Sequence, residues 1–389
     1  MKIGFQLEHL DPARGGAETY VAQFAQVLLA AGHEVHLFAE EFVNPPLGAI
    51  THRVLRRGLT RSSRDVRFAR ASGRAARRAG LDVVVAVGRT FGANVLQPHG
   101  GMLGGSRRQN LELIRSPVLR TLKRTFDAFS PRVRTQTWIE ASQFAADPEP
   151  EVVAISRMVL DDIRRFHEVP DERLHLVYNG VDTNRFSPAA CDALRAEARA
   201  AWELDDDETC FLIVAHNFKL KGVRELVEAC GRLTSTDRWR VVVVGKADPS
   251  AYLARAMELG GADRLFFHGT MDDVLPAYAA ADVYVQPTWY DPCSLVVLEA
   301  LACGRPVITT RFNGASELME DGREGVVLDT PADIDRLAAA MTRLLDPAVR
   351  QTMGLAARAA AEQVPLERNF REMMAVFETA AARKEALKE

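Results

Sequence analysis

The sequence predicts an α/β protein of two domains, each a parallel sheet covered by helices. Three observations predict it. Short apolar runs alternate with helix-length amphipathic segments along almost the whole chain, the pattern of strands joined by crossover helices. At 389 residues the chain is long enough for two full cores. An Asn179-Gly180 turn near the middle follows a strand and marks a boundary. Residues 1–178 are therefore expected to form one domain, 179–365 a second, and 366–389 a terminal helical segment.

Composition sets the limits. A content of 47% hydrophobic and 26% charged residues is ordinary for a soluble globular protein. No apolar run approaches the length of a transmembrane helix. Residues 1–8, MKIGFQLE, read as a strand interrupted by charge too early for a signal peptide. The five cysteines are odd in number and lack metal-type spacing, which fits a reducing cytoplasm. The net charge of −3 conceals an asymmetry: residues 1–178 hold 25 Lys and Arg against 19 Asp and Glu, and the remainder 24 against 33. Ten arginines between Arg53 and Arg78 are opposed only by Asp65, and more crowd residues 107–134. Such a patch attracts anionic lipid headgroups or a phosphorylated acceptor, which predicts peripheral attachment to the inner face of the plasma membrane. A solvated helical face in an arginine-rich chain accounts for it equally. No interleaved aromatics or binding motif accompany the arginines, so nucleic acid is not an expected partner.

In chain order, residues 2–7 form the first strand. Gly15 and Gly16 follow and lead into a helix over about 19–31, closed by Gly32; residues 34–39 are the next strand. A Gly-Gly loop before a helix lets backbone approach a phosphate closely, and Glu18 complements the helix dipole. Residues 82–87 and 93–97 are strands. The second runs into Pro98-His99-Gly100-Gly101, so His99 ends a strand and enters a flexible loop. Residues 107–134 read as one or two basic helices with apolar Leu111, Leu113, Leu119, Leu122 and Phe126, which fit a surface facing membrane or acceptor and equally a packed helix with a wet basic face. Residues 151–156 and 174–178 complete the strands of this half.

The second half repeats strand and helix, with strands at 211–215, 241–244, 265–267, 283–286, 307–309 and 326–328. After the first comes HNFKLKGV, with Lys219 and Lys221. Phe267 and His268 end the third at the carboxyl edge of the sheet. The acidic run Asp205-Asp206-Asp207 precedes a strand and reads as a solvated turn. Residues 290–306, YDPCSLVVLEALACGRP, carry most of the information. Asp291-Pro292 offers a cap and a first helical residue, 295–302 reads as helix, and Gly304 and Pro306 end it. The helix start presents amides at Cys293, Ser294, Leu295 and Val296, which suit a diphosphate. Asp291 in the loop and Glu299 in the second turn are two carboxylates flanking this nest. Together they can hold hydroxyls on both sides of a diphosphate, the shape of a nucleotide sugar. In TRFNGASEL, residues 310–318, Asn313-Gly314 gives a turn and Glu317 begins a helix.

Asp291 to Glu299 resembles the acidic-x7-Glu motif of retaining family 4 glycosyltransferases. The following ALACGRPVI and the earlier NGVDTNRFSP fit the same family. The resemblance implies a GT-B fold: two Rossmann-like domains facing across a cleft, with terminal helices that cross back to the first domain. It implies that Glu299 accepts hydrogen bonds from the ribose hydroxyls, that Asp291 contacts the donor sugar, and that Lys221, with Lys219, clamps the diphosphate. Phe267 and His268 lie where the family reads the base through nearby backbone. Gly15 and Gly16 match the glycine loop that faces the diphosphate, and His99 the acceptor-side residue near the reacting hydroxyl. The chain departs from the pattern in three places: Asp291 stands for the usual Glu, Cys293-Ser294 for Phe-Gly, and Asn217 for an Arg.

The resemblance further implies front-face displacement with retention, in which the leaving phosphate helps deprotonate the incoming hydroxyl. Orientation and charge stabilisation are then the protein's work, completed by domain closure. No metal and no cofactor are expected, positive charge coming from Lys221 and helix N-termini. The overall pattern is similar to lipopolysaccharide core glucosyltransferases. The expected function is a cytoplasmic hexosyltransferase using a nucleotide sugar of the UDP-glucose type, with a glycolipid or polysaccharide acceptor. Two alternatives stay open: a catalytically inactive nucleotide-binding subunit, motivated by the departures, and a nucleotide-sugar 2-epimerase of the same fold.

Overall fold

The structure, a computed structural model, describes residues 1–12, 15–234 and 237–387. The chain divides into two compact units, Met1–Tyr178 with Phe370–Glu389, and Asn179–Asn369.

The first unit holds β1 (Lys2–Gln6), β2 (His9–Leu10), α1 (Gly16–Ala30), β3 (Glu34–Ala39), β4 (Glu41–Phe42), β5 (Ile50–Arg53), α2 (Arg61–Ala79), β6 (Val83–Ala86) and β7 (Val95–Leu96). It continues through α3 (Leu103–Glu112), α4 (Pro117–Phe129), α5 (Pro131–Phe144), β8 (Glu151–Ala154), α6 (Arg157–Phe166) and β9 (Leu174–Leu176). Its main sheet has the order β5-β3-β1-β6-β7-β8-β9, every pairing parallel. Central strands such as Val83–Ala86 are buried throughout, as a sheet covered on both faces requires. From β1 the chain builds outward to β3 and β5, then returns to β6 on the other side, so the switch point lies between β1 and β6.

Two features differ from the sequence reading. Ile50–Arg53, ITHR, is a strand that the sequence does not announce; it is an edge strand, mostly exposed, and lacks an apolar run. The basic segment 107–134 lies in three helices rather than one or two, because Ser116-Pro117 and Ser130-Pro131 each start a new one with proline at its first position.

The second unit holds α7 (Pro188–Ala201), β10 (Thr209–Val214), α8 (Val223–Cys230), β11 (Trp239–Val244), α9 (Ser250–Glu258), β12 (Leu265–Gly269), α10 (Leu275–Ala280) and β13 (Val283–Gln286). Then come α11 (Leu295–Ala302), β14 (Val307–Thr310), β15 (Gly325–Leu328), α12 (Ile334–Arg343) and α13 (Pro347–Ala361). The sheet order is β12-β11-β10-β13-β14-β15, again parallel. Its switch point lies between β10 and β13. One core covers one face of this sheet, where Phe211, Ile213 and Val241 pack with Leu337 and Met341 of α12.

The terminal segment is one continuous helix, α14 (Leu366–Ala386); Lys388, included in the expected segment, lies outside the described residues. The unit boundary falls inside α14, between Asn369 and Phe370, rather than at residue 366. The reason is local pairing. The Leu366 amide donates to the Val181 carbonyl at 3.0 Å, and a Cβ on Gly180 would stand 2.7 Å from the Leu366 Cα. From Phe370 on, the helix packs in the first unit: Phe370 stacks on Phe24 at 4.6 Å, and Phe377 meets Phe5 edge-on at 6.3 Å.

Candidate active site

In the second unit, three loops leave the carboxyl ends of three adjacent strands. The loop after β10 carries Lys221, the loop after β13 carries Asp291, and the loop after β14 carries Asn313. Open α/β sheets bind ligands at this place.

Hydrogen bonds lock the three loops together. The Asp291 amide donates to the Phe312 carbonyl and the Gly314 amide to the Asp291 carbonyl, both at 2.8 Å. The Trp289 amide donates to the Leu220 carbonyl at 2.8 Å, and the Thr288 hydroxyl reaches the same carbonyl at 2.9 Å. Gly222, next to Lys221, has φ of +80°, and a Cβ there would stand 2.0 Å from the Pro287 carbonyl oxygen. Only glycine fits.

The side chains form a second layer. Asp291 is buried, and its Oδ2 pairs with the Lys221 ammonium. The same oxygen accepts a hydrogen bond from Gln286 Nε2 at 3.0 Å, and Gln286 Oε1 accepts one from the Tyr284 hydroxyl at 2.8 Å. Asp291 thus pairs with Lys221 and Gln286 and is not the helix cap that the sequence suggested. Ser294 takes the cap position of α11, and Pro292 lies before the helix. The Ser294 amide donates to Asn313 Oδ1 at 3.2 Å, so it is not free for an anion as expected. The amides of Cys293, Leu295 and Val296 meet no acceptor among the described residues. Asn179 donates to the Cys293 carbonyl at 2.9 Å and holds the loop from below. Burial pushes the Cys293 thiol up, which makes it a neutral packing group.

Glu299 lies half-buried in the second turn of α11, and its Oε2 accepts the Tyr278 hydroxyl at 2.8 Å. Burial pushes its carboxyl up to about 7; the Tyr278 hydrogen bond and the charge of Arg185 pull it down only in part. A carboxyl poised there can switch to the ionised form when donors arrive.

The other residues of this unit sit differently. Lys219 is exposed and pairs with no described residue. Phe267 and His268 occupy opposite faces of edge strand β12. The Phe267 ring lies 6.0 Å from that of Phe218 in the Lys221 loop, whereas the His268 ring lies 5.7 Å from that of Trp202. Their side chains therefore cannot line one pocket. Asp205 and Asp207 form exposed ion pairs with Arg238.

In the first unit, Gly15 precedes α1 in an extended conformation, and its carbonyl accepts from the Thr19 amide at 3.1 Å. Glu18 folds back, its Oε2 3.0 Å from where a Gly15 Cβ would stand. Gly16 opens α1. His99 follows β7, is buried, and lies 4.5 Å ring to ring from Tyr20. Its Nε2 is buried and without a hydrogen-bond partner among the described residues, and burial lowers its pKa to about 3. The imidazole is thus neutral near pH 7.

Sequence reasoning missed Gln286, Tyr278, Asn179 and the side-chain role of Asn313. Gln286 had a signal: a buried amide at the carboxyl end of an otherwise apolar strand.

Comparison with known proteins agrees with this arrangement. A family model described as "Glycosyltransferase Family 4" matches residues 14–185, and one described as "Glycosyl transferases group 1" matches residues 209–347. The chain is 30% identical over 268 residues to the D-inositol 3-phosphate glycosyltransferase of Acidothermus cellulolyticus, covering 66% of this chain and 54% of that protein. It spans about half the length of the curated relatives it matches. Among solved structures, WaaG, a glycosyltransferase involved in lipopolysaccharide biosynthesis, superposes with a TM-score of 0.81 at 21% identity, covering 97% of this chain and 98% of that one. Anabaena HepE in complex with UDP and glucose gives a TM-score of 0.71 at 19% identity, with 97% and 99% covered. With its two parallel-sheet units, the chain belongs to the family 4 glycosyltransferases of the GT-B fold.

Proposed function

We propose that the protein is a retaining hexosyltransferase that moves a hexose from a UDP-sugar of the UDP-glucose type to a glycolipid or polysaccharide acceptor such as lipopolysaccharide core. One observation carries it: the loops bearing Lys221 and Asp291 leave the two strands at the switch point, and the helix bearing Glu299 follows the Asp291 loop. On this reading the ionised Glu299 accepts the ribose hydroxyls. The open amides of α11 and the Lys221 ammonium take the diphosphate, with no metal. Asp291, released from Lys221 as the diphosphate binds, turns to the sugar hydroxyls. The acceptor hydroxyl attacks the anomeric carbon from the face the diphosphate leaves, its proton passes to the departing phosphate oxygen, and configuration is retained. His99, a poor base because it is buried, orients the hydroxyl through Nε2.

The acceptor side of the reading is supported by α4. No residue of this helix is buried, and Val118, Leu119, Leu122, Phe126 and Phe129 are 58–76% exposed along one face. Arg120, Lys123 and Arg124 flank them. Such a helix lies on an anionic bilayer. Among the described residues no helix is long and apolar enough to cross one.

The experiment is proton NMR of UDP-hexoses incubated with the protein and a core oligosaccharide. Released UDP and a new α-anomeric signal support the proposal, and a β product contradicts retention. A nucleotide-binding subunit without activity is the second reading, favoured by the ion pair that neutralises Lys221. Binding of UDP-sugars without turnover would select it.

A further inference from the structure

The carboxyl edge of the first unit's sheet holds a cavity of about 210 Å³, lined by Glu40, Arg56, Arg61, Arg64 and Arg132. Glu40 follows β3, Arg56 follows β5, Arg61 and Arg64 lie in the first turn of α2, and Arg132 starts α5. The sequence brings them together only through the fold. Arg56 is neutralised within the protein: it pairs with Glu8 at 3.0 Å and with buried Asp65. Arg61, Arg64 and Arg132 have no carboxylate partner among the described residues, whereas Arg56 beside them has two. Three uncompensated guanidinium groups against one carboxylate leave the cavity cationic. The N-terminus of α2 adds to that potential.

The charge selects the ligand. A carboxylate carries one charge and is met by one arginine. Three forks converging on one cavity match a dianionic, tetrahedral group with three acceptor oxygens. Glu40 repels a second anion and can accept hydrogen bonds from hydroxyls of the group that bears the phosphate. We propose that this cavity binds a phosphate monoester on a polyol or sugar, and that it fixes the acceptor by that phosphate. The second step rests on the proposed transferase reading; the binding site does not. A second observation joins it to a lipid source: exposed Phe129 ends the apolar face of α4 three residues before Arg132, with only the Ser130 turn between the helices.

The test is binding alone, without donor. Glycerol 3-phosphate, with glycerol as control, is titrated calorimetrically at low salt, and sedimentation is measured with vesicles containing phosphatidic acid or phosphatidylcholine. The variants are Arg61→Gln with Arg64→Gln, and Arg70→Gln with Arg74→Gln, two exposed arginines of α2 outside the cavity. All four side chains are exposed, so both proteins should fold. Loss of phosphate affinity by about tenfold or more in the first pair alone supports the site. A response to soluble phosphate identifies a free sugar phosphate, and a response confined to phosphatidic acid vesicles identifies a lipid headgroup. Equal losses in both pairs mean diffuse surface charge and overturn the proposal, as does no preference for phosphate in either arm. UDP-sugar binding by the first pair should stay unchanged. If transfer fails with every acceptor while this binding holds, the transferase reading falls and the phosphate site stands.

Discussion

Lowering the pH from 8 to 6 should weaken binding of UDP-glucose to this protein about tenfold. The perturbation acts on Glu299, whose carboxyl is held at about 7 by burial. Only the ionised form can accept both ribose hydroxyls. The apparent affinity falls with the ionised fraction, which is about nine-tenths at pH 8, half at pH 7 and one-tenth at pH 6. UDP-glucose is the right probe because its diphosphate is esterified at both ends and does not titrate in this range, whereas UDP does. Calorimetric titration at the three pH values gives the affinities. Repeating them in two buffers of different ionisation enthalpy should show proton release on binding at pH 6. Glu299→Gln keeps the shape and removes the titration, so its affinity should be low and flat. The same carboxyl affects stability. Its folded-state pKa lies above the unfolded value, so the folded chain holds this proton more tightly, and stability falls as pH rises through the carboxylate range towards 7. The Glu299→Gln protein should lose that slope. An affinity unchanged between pH 6 and 8, or the same pH dependence in Glu299→Gln, would refute the assignment of this carboxyl to the ribose.

Three further outcomes are expected. Gly222→Ala should cost about 3 kcal/mol by chemical denaturation and abolish UDP-sugar binding, because the left-handed backbone and the Pro287 carbonyl leave no room for Cβ. Asp282→Ala should cost about 3 kcal/mol in the same assay with little change in ligand affinity per folded molecule, since it strands the buried Arg199 guanidinium and the Cys210 amide far from the Lys221 loop. Leu122→Asp with Phe126→Asp on α4 should abolish sedimentation with anionic vesicles at low salt while leaving the melting temperature within a degree or two, because both side chains are already in water.

The spacing of Asp291 and Glu299 was legible in the sequence, and the fold places the first in the loop after β13 and the second in the second turn of α11. The alternation of apolar strands and helices gave the two parallel sheets because their central strands are buried on both faces and read as apolar runs. What escaped depends on contacts between segments distant in the chain. Asp291-Pro292 has the local form of a cap, yet Asp291 pairs with Lys221 and Gln286 and Ser294 takes the cap position, while the helix itself spans the expected 295–302. Asn313-Gly314 reads as a turn, but the Asn313 side-chain oxygen Oδ1 also accepts the Ser294 amide from the loop after β13. The β5 strand is polar because it sits at an edge, where pairing rather than apolar content makes it a strand. The apolar residues of α4 were visible, but their exposure was not, since periodicity alone cannot say whether a partner covers the face. The same holds for the arginines, whose convergence on one cavity requires three separate elements.

The central claim is that the Lys221–Asp291–Glu299 cluster is a nucleotide-sugar site. The most direct test is the melting temperature of the wild type and of Glu299→Ala with UDP, GDP, ADP and their hexose conjugates, without added metal. A ligand that binds only the folded state raises it by mass action. The account predicts that UDP and UDP-glucose stabilise the wild type and that Glu299→Ala loses most of the shift. Absence of any shift in the wild type, or an equal shift in Glu299→Ala, would contradict it.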